Sequence, residues 1–386
     1  MTMKETKGIY TFSTKTFDDG FIKDRYRERT KNNGDKVIMD DYEVLTLILS
    51  ALYWKKNIGP TKLYTDNQGL EFLSKCMDMK MWDEVDTEVL EEYNENIHIN
   101  HRQFFAAPKV YALSKEKVPF CSVDIDLLYR GKGNKLCKGD ITTLHLEKVT
   151  SSSYPNPKKF SESENSNILS KYKWRKKSAI NCGLIYFGNQ ELLDRYTNEA
   201  LTFIKDNPTP FNAEDTKLSI MTLAEQRLLG EIAHDMKLKV KSLVKTPFDN
   251  EKPIKFIEET AHTLGIVPES RFEGQGVGLN GEVIHLWGYK SFLSSDIKIW
   301  DSILGGMKSE ENENRLFLIF NLKKSLMIEF GDQYSDIMNR LENSDDIIKC
   351  STFSRSIGLG PKDNVYFTGE PPTIDGKGTT NQVFGL

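Results

Sequence analysis

Short segments rich in β-branched and aromatic residues alternate along the chain with segments of helical periodicity. The strand patterns cover residues 8–15, 62–65, 119–123, 179–187 and 238–243. Helices are predicted over residues 42–53, from residue 70 onward, and over residues 108–113, 191–204 and 218–233. Strands that alternate with helices indicate βαβ units. The pattern therefore predicts an α/β fold in which helices flank a mostly parallel central sheet.

The alternation weakens beyond residue 243, where a helix over residues 254–264, a strand over 315–320 and a helix over 334–341 are predicted. Residues 360–386 are rich in Gly, Pro and Thr and are expected to form an extended tail. Residues 151–178 carry Ser, Pro, Asn and Lys in excess without periodicity, which predicts a long loop or lid. We expect one domain over residues 1–295 and a small C-terminal extension over residues 296–386.

Composition excludes several classes of protein. The 386 residues are 38% hydrophobic and 28% charged, which is typical of a globular protein. The five cysteines are scattered and never form a CxxC pair, so neither a disulfide framework nor a cysteine zinc site is predicted. The net charge of −4 lacks the electrostatic footprint of a protein that grips many phosphates, so any anion site must be local.

The N-terminal residues do not resemble a secretory signal, and no apolar run reaches the ~20 residues that span a bilayer. We expect no membrane span and a cytoplasmic location, in the host cytoplasm if a phage encodes the protein.

Two carboxylates follow an apolar strand directly. Asp124 and Asp126 come immediately after residues 119–123. Ligands of open α/β sheets bind outside the carboxyl ends of the strands, and carboxylate oxygens suit Mg²⁺ or Mn²⁺. The alternative is a chance DxD pattern that caps a helix or decorates a turn. Their position directly after an apolar strand favours a metal site, because two neighbouring carboxylates repel each other unless a cation or hydrogen bonds compensate them.

Four segments, taken in order, resemble elements of the GT-A-type glycosyltransferases. They cover residues 107–290 and read APKVYALSKEKVPFCSVDIDLL, AINCGLIYFGNQELLDRY, LAEQRLLGEIA and HLWGYK. The chain looks most similar to glycogenin-like retaining enzymes and to an uncharacterised bacterial and phage group of GT-A-like proteins. The resemblance implies the GT-A nucleotide-diphospho-sugar transferase fold for residues 1–295, and hexosyl or pentosyl transfer with retained configuration.

The resemblance also implies roles for particular residues. Mn²⁺ or Mg²⁺ would be held by Asp124, Asp126 and His285. The residues expected at the nucleotide-sugar donor, with a UDP-sugar favoured, are Lys109, Asp124, Gly183, Gly288 and Lys290. The residues expected at the reacting sugar and acceptor are Asn181, Glu225 and Gln226. Glu225 departs from the family pattern, which more often has Asp there, and the longer side chain puts its direct catalytic role in question.

Each of these elements has a structural alternative. Lys109 alone could be a surface lysine, Asn181 and Gly183 could form a bulge, and Glu225 with Gln226 could be ordinary helix surface. His285 could be a core histidine. The basic aromatic run at residues 171–177 could close over phosphates or bind a polyanionic acceptor, although a solvated charge run is the favoured interpretation.

Three functions remain open. The first is a metal-dependent glycosyltransferase that acts on a glycan, protein or nucleic-acid acceptor. The second is a catalytically silent GT-A-like protein that binds sugars or serves assembly. A nucleotidyltransferase is disfavoured, because residues 8–15 are not followed by a Gly-rich basic loop.

Overall fold

The computed structural model describes residues 5–15, 39–101, 103–150, 154, 157, 167–207, 220–243, 283–285, 323, 326–343, 347–348, 357–359 and 365–367. The predictions over residues 254–264, 315–320 and most of 360–386 lie outside the described residues.

The strands, in chain order, are β1 (Lys7–Phe12), β2 (Met39–Asp40), β3 (Thr61–Thr65), β4 (Glu84–Asp86), β5 (Phe120–Val123), β6 (Leu127–Tyr129), β7 (Ile141–Thr143), β8 (Leu146–Lys148), β9 (Ser178–Ile180), β10 (Leu184–Phe187), β11 (Val240–Ser242), β12 (Val283–His285), β13 (Ile347–Ile348), β14 (Ile357–Leu359) and β15 (Val365–Phe367).

The α-helices, in chain order, are α1 (Asp41–Asn57), α2 (Asn67–Cys76), α3 (Glu88–Asn96), α4 (Ala107–Leu113), α5 (Gly133–Leu136), α6 (Asn167–Lys171), α7 (Gln190–Asp206), α8 (Ile220–Thr222), α9 (Leu228–Asp235) and α10 (Gly331–Asn343). A π-helical segment, Leu223–Arg227, joins α8 to α9, and a short 3-10 helix covers Met79–Met81.

The central sheet has seven strands in the order β11-β7-β10-β5-β1-β3-β4. Strand β10 is antiparallel to both of its neighbours, and the other neighbouring pairs are parallel. The predicted α/β fold with a mostly parallel sheet is therefore confirmed. Strand β5, which leads into the predicted acidic pair, lies between β1 and β10.

The alternation of side chains along each strand divides the core between the two faces of the sheet. Tyr10 of β1 and Cys121 of β5 pack in one cluster with α1, α2 and α10. Ile9 and Phe120, one position earlier on the same strands, pack in the other cluster with α4, α7 and α9. Because successive side chains of a strand point to opposite faces, each central strand contributes to both cores. Helices thus cover both faces of the sheet.

The predicted strand over residues 179–187 is two strands. Strand β9 pairs with β8 in a separate two-stranded sheet, whereas β10 pairs in the central sheet. The chain breaks between them because the side-chain oxygen of Asn181 accepts a hydrogen bond from the backbone N–H of Gly183 at 3.0 Å. Such a bond competes with the strand ladder. Similarly, β1 ends at Phe12 rather than at residue 15, and the segment predicted as a loop contains α6.

The C-terminal helix α10 packs on the α/β unit. Ile337, Met338 and Leu341 belong to the same core cluster as α1, and the Tyr53 hydroxyl donates to Glu329 Oε1 at 2.7 Å. The domain boundary at residue 295 stays a prediction. Within the described part of the chain, no helix combines the length and apolar character needed to cross a bilayer.

A buried ion cluster lies near the amino ends of β1 and β3, away from the acidic pair. The Glu116 carboxylate lies 2.9 Å from Lys7 Nζ and 3.4 Å from Lys62 Nζ, and it accepts a hydrogen bond from the Tyr64 hydroxyl at 2.6 Å. Burial alone would raise the pKa of Glu116. The hydrogen bonds from Tyr64 and Lys7 outweigh it and hold the pKa below the ordinary value of 4.5.

We predict that Glu116→Gln lowers the free energy of unfolding by about 2 kcal/mol near pH 7, because it removes a buried carboxylate that accepts from Tyr64 and pairs with two lysines, while Glu84 and Asp86 still pair with Lys62. A carboxylate whose pKa is lowered in the folded state stabilises the protein at pH values above its ordinary pKa. This contribution is lost as the pH falls through the folded pKa. The difference between variant and wild type should therefore shrink below pH 4.5. Urea titrations at several pH values measure it.

The matched control is Glu92→Gln, which neutralises an exposed carboxylate paired with Lys115 at 2.9 Å. A loss of stability as large as that of Glu116→Gln would contradict a special contribution from the buried cluster.

Candidate functional site

The acidic pair lies in a tight turn at the carboxyl end of β5. The backbone N–H of Asp124 donates to the carbonyl of Gly183 at 2.8 Å, and the N–H of Leu127 donates to the carbonyl of Asp124 at 3.1 Å. Residue 127 begins β6, so the chain reverses within the Asp-Ile-Asp sequence. The Asp126 residue is 7% exposed. Both aspartates thus occupy the edge of the sheet where α/β proteins bind ligands.

Lys109 connects the first aspartate to the π-helical segment. Its Nζ lies 2.7 Å from Asp124 Oδ1 and 2.6 Å from Glu225 Oε1. It also donates to the carbonyl of Cys182 at 3.2 Å. Lys109 is therefore not a surface lysine. Asp124, for its part, is paired with a protein cation and does not depend on a metal to offset its charge.

The electrostatics of this trio follow from burial. Desolvation would lower the pKa of Lys109, but the neighbouring Asp124 and Glu225 outweigh it and raise the pKa well above its ordinary value. Lys109 therefore stays protonated. Burial also raises the pKa of Glu225, and the attraction of Lys109 only partly offsets this effect.

The π-helical segment places Glu225 and Gln226 differently from a regular helix. The N–H of Leu228 reaches back to the carbonyl of Leu223, which is the i→i−5 spacing of a π-turn. Glu225 is 3% exposed, so it is not ordinary helix surface. Gln226 is half-buried. Single π-turns within α-helices are frequent at functional sites.

Asn181 lies in the break between β9 and β10 and contacts a residue that the sequence did not single out. Its amide N–H donates to Glu147 Oε1 at 2.6 Å, while Thr143 donates to its backbone carbonyl at 2.6 Å. His145 Nε2 lies 3.5 Å from the same carboxylate oxygen. Burial would raise the pKa of Glu147, but the nearby His145 and the hydrogen bonds from Tyr154 and Asn181 outweigh burial and lower the pKa. Glu147 is thus a buried, ionised carboxylate.

Tyr154 was also not singled out. It belongs to the segment over residues 151–178 and is 3% exposed. Its hydroxyl oxygen lies 2.6 Å from Glu147 Oε2 and 2.6 Å from Gln226 Oε1. Burial first, and the nearby Glu147 second, raise the pKa of Tyr154 far above its ordinary value, so it stays protonated. The side chains of Asn181, Glu147, Tyr154 and Gln226 therefore form one continuous hydrogen-bonded chain.

The remaining predicted metal and donor residues belong to the late motif. The backbone of His285 pairs with Leu127 in the two-stranded sheet of β12 and β6, one residue beyond Asp126. This register brings the third predicted ligand position beside the acidic turn, and a carboxylate and imidazole donor set suits Mn²⁺. The side chain of His285, and all of Gly288 and Lys290, lie outside the described residues. Within the described part of the chain, no group of three or more His, Cys, Asp or Glu side chains has the geometry of a metal site.

The basic run over residues 171–177 is largely solvated. Lys171 pairs with Glu199, and the other lysines and the arginine of the run are exposed. Trp174 is held in place because its indole N–H donates to the carbonyl of Leu169 at 2.6 Å and the Arg227 guanidinium lies 5.3 Å from its ring centre. The positions of these side chains therefore do not identify a binding site for a phosphate or a glycan.

Comparisons with known proteins gave the following similarities. A family model described as "Family of unknown function (DUF6734)" matches residues 21–267. No protein with a curated description matches the chain in sequence. The structure is similar to that of the galactosyltransferase LgtC in complex with donor and acceptor sugar analogues, at 8% identity and a TM-score of 0.38, over 81% of this chain and 95% of that one.

Two further solved structures are similar to the chain. The apo structure of the bifunctional glycosyltransferase WbbM is 7% identical with a TM-score of 0.35, over 83% of this chain and 52% of that one. The apo structure of mouse xyloside xylosyltransferase 1 is 9% identical with a TM-score of 0.27, over 52% of this chain and 70% of that one.

We predict that Lys109→Met lowers the free energy of unfolding by about 3–5 kcal/mol at neutral pH, because it leaves Asp124 and the buried Glu225 without their shared cation. Adding Glu225→Gln to this variant should restore a large part of the loss, since the unpaired charge is then removed. Denaturant titrations of the single and double variants measure the coupling free energy between Lys109 and Glu225. Lys115→Met, which breaks an exposed pair, is the control and should cost less than about 1 kcal/mol. Additive effects of the Lys109 and Glu225 changes would contradict the ion cluster.

Proposed function

We propose that this chain, which belongs to the family of unknown function DUF6734, is a GT-A-type glycosyltransferase that moves a sugar from a nucleotide-sugar donor to an acceptor. The supporting observation is the meeting of Lys109, Asp124 and Glu225 in one largely buried cluster. Lys109 and Asp124 come from the first of the segments that resemble GT-A enzymes, and Glu225 comes from the third. A resemblance scattered over the chain by chance would not bring these charged positions together.

Electrostatic stabilisation of the leaving group is the chemistry that this site has to supply. Transfer of the sugar leaves negative charge on the nucleoside diphosphate, and fixed positive charge nearby lowers the barrier. We assign Asp124, Asp126 and His285 to a Mn²⁺ or Mg²⁺ ion. When bound, such an ion neutralises the diphosphate as a Lewis acid. Lys290 and Gly288 of the late motif complete the donor side, with a UDP-sugar favoured.

Lys109 has a different role from the one that the resemblance implied. With both neighbouring carboxylates within 2.7 Å, its charge is committed to Asp124 and Glu225. We therefore propose that Lys109 orients Asp124 and does not contact the diphosphate directly. Asn181 and Gln226 line the side of the reacting sugar and acceptor, Gly183 belongs to the donor side, and Glu225 supports the site from a buried position. The finer assignments, namely hexosyl or pentosyl transfer with retention, a catalytic domain over residues 1–295 and a cytoplasmic location, belong to the same proposal.

A silent sugar-binding or assembly protein is the second candidate. It is favoured by the pairing of Asp124 with Lys109, because an acidic turn that is already compensated can persist as structure after catalysis is lost. Donor hydrolysis separates the two candidates, since a silent protein binds the nucleotide sugar without cleaving it.

We predict that a UDP-sugar stabilises the protein against thermal unfolding only when Mn²⁺ is present, and that Asp126→Asn abolishes this stabilisation while the protein stays folded. The reason is that the phosphates of the donor are expected to bind to a cation that the acidic turn holds. Thermal-shift measurements across a panel of nucleotide sugars, with and without chelator, test it. Asp332→Asn, which neutralises an exposed carboxylate at the start of α10, is the control. Equal donor affinity in chelator and in Mn²⁺ would exclude the bridging ion.

We also predict that Lys290→Ala weakens donor binding or turnover by about 10²–10³ without unfolding the protein, the usual cost of losing one electrostatic contact to developing charge. Lys239→Ala, which removes an exposed lysine just before β11, serves as control. Calorimetric donor titration and donor hydrolysis provide the measurement. Normal turnover of the Lys290 variant would make the late motif a structural element.

A further inference from the structure

The Tyr154 hydroxyl stands between two acceptors but has one proton. Its oxygen lies 2.6 Å from Glu147 Oε2 and 2.6 Å from Gln226 Oε1. Two oxygens that approach this closely need a hydrogen between them, and a tyrosine hydroxyl can supply only one such hydrogen. One of the two contacts must therefore receive its hydrogen from the partner.

The carboxylate takes the tyrosine proton. Both oxygens of Glu147 face donors, the Tyr154 hydroxyl and the Asn181 N–H₂, each at 2.6 Å, and an ionised carboxylate can only accept. These contacts and the nearby His145 also lower the pKa of Glu147 despite burial. The contact with Gln226 must then be made by the amide N–H₂. The oxygen and nitrogen of a side-chain amide have nearly the same shape, and their assignment follows from the hydrogen-bond network. With the N–H₂ toward Tyr154, the carbonyl oxygen of Gln226 is released from this contact.

We propose that Tyr154 and Glu147 are positioning residues that hold the Gln226 amide with its N–H toward Tyr154 and its carbonyl oxygen available to a hydroxyl group of the sugar or acceptor. Glu147 orients a second amide in the same way. Its other carboxylate oxygen accepts from the Asn181 N–H₂ at 2.6 Å, which leaves the Asn181 carbonyl oxygen on the N–H of Gly183 at 3.0 Å. One buried charge thus fixes both amides that line the proposed site.

This arrangement gives Tyr154 a definite role. It contributes to the site although it lies 72 positions before Gln226 in sequence. The orientation of the amide stands on the described contacts, whereas its catalytic consequence rests on the proposed glycosyl transfer.

The first test does not require catalytic activity. In protein labelled with ¹⁵N at glutamine side chains, the Gln226 N–H₂ signals, identified by their absence in Gln226→Ala, should show slowed hydrogen exchange. Tyr154→Phe and Glu147→Gln should both shift these signals and remove the protection. Tyr172→Phe is a matched control, because Tyr172 belongs to the same segment as Tyr154 and its hydroxyl also donates to a buried glutamate, Glu199, at 2.5 Å. Unchanged Gln226 signals in Tyr154→Phe would overturn the proposal.

The second test measures catalysis. Tyr154→Phe should lower kcat for donor hydrolysis or transfer by about 10- to 100-fold, the scale of a misplaced reacting group, with donor Kd changed less than about threefold. Tyr172→Phe should leave both values near wild type. If wild type cleaves no donor, the proposed function fails while the amide signals still decide the orientation. If the signals shift but kcat is unchanged, positioning for catalysis is excluded.

Discussion

The site depends on one buried cation. Lys109 binds Asp124 from the turn after β5 and Glu225 from the π-helical segment, and it also donates to the backbone carbonyl of Cys182. These contacts join a helix on one face of the sheet, the end of a central strand and a segment more than a hundred residues later. Burying a lysine is costly unless its charge is paired and its hydrogens are bonded. Here the charge is paired with two carboxylates, and two hydrogen bonds to Asp124 and Cys182 are formed. The lysine therefore adds a charged contact to elements that also share one hydrophobic cluster.

A local polar bond has an equally large effect on the backbone. The Asn181 side chain accepts from the N–H of Gly183 and ends β9, so that β10 can join the central sheet. The same turn presents the Gly183 carbonyl to the N–H of Asp124. The acidic turn and the amide turn are thus hydrogen-bonded to each other across neighbouring strands. A regular strand over residues 179–187, as the apolar pattern predicts, would have separated the side chains of the site.

The sequence predicted the parts of the site that depend on local pattern. An apolar segment followed by Asp124 and Asp126 reads directly as a strand end with two carboxylates. The resemblance to GT-A enzymes predicted Lys109, Asn181 and Glu225 as site residues, but it did not predict the contacts that their side chains make. A helix pattern of period 3.6 cannot reveal a π-turn, because the extra residue leaves the apolar spacing on either side intact.

Two residues of the site carried no signal in the sequence. Glu147 is a polar residue in a short strand, where an exposed side chain is the ordinary expectation. Tyr154 lies in a segment of biased composition that predicts a loop. Their roles depend on contacts that form only in the folded chain. Glu147 contacts the amide of Asn181, 34 positions later, and Tyr154 contacts the amide of Gln226, 72 positions later. Long-range polar contacts of this kind have no periodicity from which they could be predicted.

The charges around Lys109 also constrain what the site can bind. Asp124 and Glu147 each act electrostatically on Glu225, and Lys109 contacts both Asp124 and Glu225. Glu147 accepts hydrogen bonds from a tyrosine and an amide, and His145 Nε2 lies 3.5 Å from it. Burial raises the pKa of Glu225, and the nearby Asp124 and Glu147 raise it further, against the lowering effect of Lys109. A nucleoside diphosphate would add negative charge beside these carboxylates, and like charges repel strongly at low dielectric. This repulsion is the physical reason for which the proposed function assigns a divalent cation and Lys290 to the side of the diphosphate.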